Sequence, residues 1–174
     1  MADESNQTVV THLIDQLLPL ADGTADQLKK GIEVLDVGCG RALIQLAEAF
    51  GNSRFTGYDL CDEAVNRADE LVASKGLTNM EFVVKGVAGF DDQKKFDLIF
   101  ILDAVHDQAK PGQVLKNIYN ALKPDGTYFC QDIAGSSQVE NNMDHPIAPF
   151  IYTISCTHCM SVSLGQNGAG LGAM

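Results

Sequence analysis

The stretch Glu33-Val34-Leu35-Asp36-Val37-Gly38-Cys39-Gly40, followed 19 residues after Gly40 by Asp59, decides how this chain is read. Its mostly apolar opening reads as a buried strand. The glycines that follow let a bulky ligand approach backbone where any Cβ would collide. An acid ending the next strand is placed to grip a diol, and the spacing is that of one βαβ unit. Together these residues mark a nucleoside-cofactor site.

The residues just beyond the turn narrow the cofactor. A dinucleotide fold uses Gly-x-Gly-x-x-Gly, the third glycine allowing close helix packing while pyrophosphate rests on the helix N-terminus. Here that third position is Leu43. Asp36, just ahead of the turn, would repel a pyrophosphate but suits a cofactor bearing an ammonium and a sulfonium, which is S-adenosyl-L-methionine. A nicotinamide-dependent oxidoreductase is disfavoured by Leu43.

Outward from this unit, strand and helix patterns alternate. Strands are expected near 33–37, 54–59, 80–85, 96–102 and 126–132, and helices near 42–50, 62–75 and 111–122. Such alternation means an α/β fold with a doubly wound, mostly parallel sheet. The unbroken run Leu98-Ile99-Phe100-Ile101-Leu102 marks a central strand buried on both faces. Asp62 and Gly76 are placed to begin and end the second helix, Pro111 opens the third, and Lys123-Pro124-Asp125-Gly126 turns the chain into the fifth strand. Thr8–Leu20 carries helically spaced apolar residues and reads as one leading amphipathic helix, separated from the first strand by Asp22-Gly23-Thr24. The expected strand order is 3-2-1-4-5. Residues 1–30 then form a leading helical segment, 31–135 the cofactor-binding domain, and 136–174 a lid-like helix with a Gly-rich tail.

The pattern acid-x-Gly-x-Gly-x-Gly, matched by Asp36, Gly38 and Gly40 with Ala42 at the last position, resembles the class I S-adenosylmethionine-dependent methyltransferases. The resemblance implies that Gly38, Cys39 and Gly40 lie along the methionine portion of the cofactor and that Asp36 orients its amino group. Asp59 would accept from both ribose hydroxyls, with Leu60 beside it. The family often has an adenine-binding acid after the third strand; this chain has Lys85-Gly86-Val87-Ala88 there, leaving Gly86, backbone near Val87, or Asp91 for that task. Asp103 and Ala104, leaving the fourth strand, complete the cofactor set. Motifs after the fifth strand, from Gln131-Asp132 through Cys156-Thr157-His158-Cys159 to the Gly-rich tail, are similar to a subgroup with an N-terminal winged-helix domain. That domain and the family's last two strands are absent from this sequence, so the chain looks like a fragment or a reduced form. The fifth strand is then an exposed edge, which either a second copy of the chain or the segment Ile147–Leu164 is expected to cover.

Methyl transfer is an in-line displacement, so the protein supplies alignment and sometimes a base. Such a site lies outside the carboxyl ends of the strands, beside the crossover between strands 1 and 4. His106 is the candidate base or orienting group there. Asp132, leaving strand 5, is a candidate to orient a substrate donor, and His145 to line the acceptor pocket with Tyr152 and His158. Cys156-x-x-Cys159 with His158 suggests zinc, but a single pair at helical spacing more often packs as small apolar side chains, and no metal is expected.

Composition bounds the rest. At 174 residues with 45% hydrophobic content the chain suits one self-sufficient domain. A net charge of −11 opposes contact with nucleic acid or an anionic membrane. An acidic N-terminus, no long apolar run and an odd, scattered set of five cysteines fit a cytoplasmic protein. The expected function is methyl transfer to a small neutral or cationic molecule. The alternative is a domain that binds the cofactor but has lost turnover.

Overall fold

The computed structural model describes residues 9–38, 41–86 and 88–172. Five parallel strands, β1 (Glu33–Val37), β2 (Arg54–Asp59), β3 (Met80–Val84), β4 (Phe96–Leu102) and β5 (Leu122–Gln131), form one sheet. Their order is β3-β2-β1-β4-β5, as the alternation predicts. Side chains alternate between the faces of β1 and β4, which divides the core in two. Val34, Leu98 and Phe100 pack with residues of α2 (Arg41–Ala49) and α3 (Asp62–Lys75) on one face. Leu35, Val37, Ile99 and Ile101 pack with α4 (Pro111–Ala121) on the other. Leu43, at the position a dinucleotide fold gives to glycine, is fully buried in the first layer.

Three expectations are corrected. The run over Thr8–Leu20 is not one helix but a 3₁₀ turn (Val10–His12), a π turn (Leu13–Leu17) and a second 3₁₀ turn (Leu18–Leu20). The reason is packing: Leu13 and Leu18, five residues apart, are both buried, and the Leu18 N–H donates to the Leu13 carbonyl in the i→i+5 pattern that brings them to one side. Pro19, which lacks an N–H, could not continue a regular ladder. The supposed spacer Asp22-Gly23-Thr24 instead starts a short helix, α1 (Thr24–Lys30), entered through Gly23 at φ 77°. Leu28 of α1 is fully buried, and Ser53 Oγ joins this helix to β1 and β2 by donating to the Leu28 carbonyl at 2.7 Å and accepting from the Ile32 N–H at 3.0 Å.

The third correction concerns β5, which starts at Leu122 rather than 126. The Lys123–Gly126 turn survives inside it as a bulge, since Phe96 pairs with Leu122 and Leu98 already with Thr127. Asp97, opposite the bulge, accepts from Lys123 Nζ at 2.7 Å and from the Glu33 N–H at 2.9 Å, which fixes the extra residues against β4 and β1.

After β5 the chain runs through a loop into α5 (Ala148–Ile154), a π turn (Ser155–Cys159) and α6 (Met160–Gly165), one continuous helical cap. The cap packs at the end of β5, where Ile151, Ile154 and Cys159 meet Ile133. It is not a strand, and β5 keeps an outer edge with no strand partner among the described residues.

Candidate active site

The C-terminal ends of β1 and β2 form one side of the site. Gly38 has φ 79°, a left-handed conformation that favours glycine, and a Cβ there would sit 3.3 Å from the Ala104 methyl. Its N–H donates to the Tyr58 carbonyl at 3.0 Å, so the turn is held to β2 while passing close to the loop after β4. Asp36 is 3% exposed within β1. Burying a carboxylate is expensive unless charge or hydrogen bonds compensate, so its surroundings fix this acid in place. Asp59 ends β2, and its Oδ1 accepts from the Cys61 N–H at 2.9 Å, fixing the carboxylate at the strand tip. Cys39, Gly40 and Val87 lie outside the described residues.

Between β3 and β4, Gly86 packs under Leu60, where a Cβ would come 3.0 Å from Leu60 Cδ2. Leu60 is itself 59% exposed, an apolar side chain standing at the mouth beside Asp59. Of the two acids that follow, Asp91 is exposed while Asp92 is the anchor. Asp92 Oδ2 accepts from Lys85 Nζ at 2.7 Å and from the Tyr58 hydroxyl at 3.0 Å. Burial alone would raise the Asp92 pKa, but the hydrogen bonds from Lys85 and Tyr58 bring it below the ordinary carboxylate value. Lys85 also lies 4.8 Å from the Tyr58 ring centroid, a cation–π contact. Asp92, which the sequence reading passed over, therefore sets the shape of this loop. The sequence cue was the basic Lys85 after an aromatic strand.

The ends of β4 and β5 form the other side. Asp103 adopts φ 54°, rare for a residue with a side chain, and its N–H donates to the Gln131 carbonyl at 2.8 Å. Such backbone strain costs of order 1–3 kcal/mol and concentrates at functional sites. From this bend His106 turns inward, 8% exposed. Its Nδ1–H donates to Asp132 Oδ1 at 2.7 Å, and Asp132 Oδ1 also accepts from the Ile133 N–H at 2.8 Å. The other ring nitrogen lies 3.3 Å from Asp107 Oδ1. The hydrogen bond to Asp132 raises the His106 pKa above its ordinary value, against burial and with help from Asp107 and Asp103. The Asp132 carboxyl moves the other way, because His106 and the Ile133 N–H outweigh the effect of burial. The carboxylates around His106 favour its charged form, which suits orientation and charge balance more than proton acceptance.

The cap closes over this side. His158 Nε2 reaches 3.7 Å from Asp107 Oδ2, and the Cys159 thiol is buried, with its pKa pushed up to about 12 by burial and by the Asp107 carboxylate. Ser163 Oγ donates to the Gln108 carbonyl at 3.0 Å and accepts from the Gly170 N–H at 3.0 Å, while the Ala169 N–H donates to the Ala109 carbonyl at 3.0 Å. The Gly-rich tail is thus folded back against the loop after β4. His106, Asp132 and His158 converge. His145 does not: its Nδ1 accepts from the Ile147 N–H at 3.4 Å in the turn before α5, and no hydrogen bond or ion pair joins it to His106 or Asp132. Tyr152 is likewise engaged elsewhere, its hydroxyl accepting from Asn142 Nδ2 at 2.9 Å. Cys156 is exposed while Cys159 is buried, so the Cys-x-x-Cys pair does not act as a chelate. Asp107 is the residue the sequence left without a role, hinted at only by its neighbour His106, while Cys159, read with Cys156 as a small packing side chain, is buried beside it.

A methyltransferase-domain family model matches residues 28–163. The chain belongs to this family, the class I S-adenosylmethionine-dependent methyltransferases. This methyltransferase-family chain is 24% identical over 143 residues to (S)-tetrahydroprotoberberine N-methyltransferase of Eschscholzia californica, a match covering 79% of the chain and 41% of that protein. It is 28% identical over 109 residues to (S)-coclaurine N-methyltransferase of Papaver somniferum, covering 62% and 31%. With the sterol 24-C-methyltransferase erg-4 of Neurospora crassa the identity is 31% over 124 residues, covering 68% and 32%. The chain thus spans less than half the length of these relatives. Among solved structures, coclaurine N-methyltransferase bound to N-methylheliamine and S-adenosylhomocysteine shares the fold with a TM-score of 0.54, at 21% identity, covering 65% of this chain and 34% of that one. The YcgJ protein of Bacillus subtilis gives a TM-score of 0.55 at 24% identity, covering 61% and 46%.

Proposed function

We propose that this chain binds S-adenosyl-L-methionine along the ends of β1–β3 and directs its methyl group to a small-molecule acceptor held under the 148–165 cap. One observation carries this reading: Gly38, at the end of β1, lies against Ala104, so the residue assigned to the methionine portion of the cofactor sits beside the Asp103–His106 bend. Asp36, Asp59, Leu60, Gly86, Asp103 and Ala104 then hold the cofactor, with Asp36 toward its ammonium group and Asp59 toward the ribose. Cys39, Gly40 and Val87 are assigned to the same site from the sequence pattern.

His106, fixed through Asp132, orients the acceptor; His145, in the turn before the cap, is assigned to the acceptor side from the sequence pattern. The acceptor class is a small amine. Asp103, Asp107 and Asp132 make the β4–β5 side acidic, which favours a cationic or hydrogen-bond-donating ligand, and two of the relatives are named as N-methyltransferases. The free edge of β5 supports pairing with a second copy of the chain. Among the described residues no helix is long and apolar enough to cross a membrane.

Calorimetry with S-adenosylhomocysteine and NAD, followed by methyl transfer to a panel of secondary and tertiary amines, tests this reading. Binding of the first ligand alone and methylation of at least one amine is expected. Failure to bind S-adenosylhomocysteine overturns the cofactor assignment, and binding without transfer to any amine points to a domain that holds cofactor without turnover.

A further inference from the structure

Two remote segments bring three ligand-type side chains together, with a fourth, His158, beside one of them. His106 and Asp107 follow β4, and His158 and Cys159 end the π turn of the cap. Ligand atoms of His106, Asp107 and Cys159 all lie within 4.8 Å of one another, and His158 Nε2 is 3.7 Å from Asp107 Oδ2. A tetrahedral zinc ion, with bonds of about 2.0–2.3 Å, sets ligand-to-ligand edges of about 3.3–3.8 Å. The separation from His106 Nε2 to Asp107 Oδ1, 3.3 Å, already has that length, while His158 Nε2 stands 3.7 Å from the other oxygen, Oδ2, and would complete the set by a small side-chain movement.

Two features ask for a cation at this point. Asp107 Oδ1 is buried and accepts no hydrogen bond, although His106 Nε2 stands 3.3 Å away. Asp132 fixes the proton of His106 on Nδ1, so the Nε2 lone pair faces Asp107 unless it holds a proton or a metal. A carboxylate behind a histidine, orienting its far nitrogen, is the usual outer shell of a metal ligand. Mixed imidazole, carboxylate and thiolate donors suit zinc and similar borderline ions, not magnesium or calcium. The widened π turn is what aims two consecutive residues of the cap at the loop after β4, and such turns recur at functional sites.

We propose that His106, Asp107, His158 and Cys159 form a binding site for zinc or a similar divalent ion, which staples the cap to the loop after β4. Four protein ligands leave no open position, so the ion is structural. On binding, the Cys159 thiol proton and any proton on His106 Nε2 pass to solvent as the metal takes both lone pairs. The site shares His106 with the acceptor-orienting role proposed above, which would then belong to the metal-free chain, and its test reads metal binding alone.

Cobalt(II) added to the metal-stripped chain should bind one to one, with the near-ultraviolet absorption of a cobalt–thiolate bond, and zinc should displace it. Cys159→Ser should abolish the thiolate band, Cys156→Ser should leave it intact, and Asp132→Asn should weaken zinc binding about 10–100-fold. Should Cys159→Ser fail to fold, Asp107→Asn carries the same test, with weaker binding and a retained thiolate band expected. A wild-type chain without the thiolate band overturns the site. So does a band that persists in Cys159→Ser or disappears in Cys156→Ser, and so does undiminished affinity in Asp107→Asn.

Discussion

The half of the strand-end rim proposed to hold the cofactor is shaped mostly by backbone, and the half proposed to hold the acceptor by ionised side chains. Around β1–β3 the decisive features are a left-handed glycine, a strand-tip acid and a loop anchored by Asp92. Around β4–β5 the geometry depends on His106 lying between Asp132 and Asp107, with the cap laid over them. The difference teaches that the first half should tolerate pH and salt but no added Cβ, whereas the second should tolerate small changes of shape but no lost charge.

The hardest blow to the first half is Gly38→Val. It forces a branched residue to φ 79° and into the Ala104 methyl, so S-adenosylhomocysteine binding should fall at least about 100-fold by calorimetry, with about 1–3 kcal/mol of stability lost. Affinity within about 3-fold of wild type would mean that the cofactor half is not limited by backbone space.

The matching change in the second half is Asp132→Ala, which removes the partner of a buried imidazole. Because Asp132 is partly open to solvent, the expected loss is about 1–2 kcal/mol in urea unfolding, below the range for fully buried pairs. S-adenosylhomocysteine affinity should stay within about 2-fold. Equal damage to both quantities would erase the division between the halves.

A finer contrast lies within the first half. Asp92→Asn removes the charge that holds Lys85 and should weaken S-adenosylhomocysteine binding roughly 5–10-fold, an effect of about 1–1.4 kcal/mol, just below the worth of a charged hydrogen bond because the loop acts on the ligand indirectly. The exposed neighbour Asp91→Asn should change it by less than about 2-fold in the same titration.

The smallest expected signal is the dependence of the second half on pH. Folding raises the His106 pKa above 6.5, so its stabilising contribution is complete below that value and fades as pH climbs through the raised native one. Urea unfolding in the presence of a chelator should therefore show a larger gap between wild type and His106→Gln at pH 6 than at pH 9. Asp132, with its pKa lowered, bounds the effect at the acid end, where its contribution is lost as pH falls below the ordinary carboxylate range. A gap that widens toward pH 9 would reverse the assignment of charge.

The same contrast explains what could be read from the residues alone. The first half sits in one βαβ unit, so Gly38, Asp36 and Asp59 occur at a fixed spacing, and the sheet order followed from alternation. The second half joins β4, β5 and the cap, contacts that no local pattern encodes. His106 and Asp132 stand out by their place at strand ends, but their pairing does not, Asp107 has no pattern to mark it, and the Cys156-x-x-Cys159 spacing points Cys159 to the wrong partner. The leading helix failed because its period is that of a π turn, set by where Leu13 and Leu18 must go. For His145, position along the chain does not say which way a turn faces, and its Nδ1 is engaged by the Ile147 N–H.

The tail folded along the loop after β4 has a practical consequence. At Gly168 a methyl group would be driven against Ala109 and Ser163, two points of attachment between cap and body. Substituting alanine there acts as a wedge, prising the cap open mechanically while every ionisable group keeps its identity, so enclosure of the acceptor can be varied apart from its electrostatics.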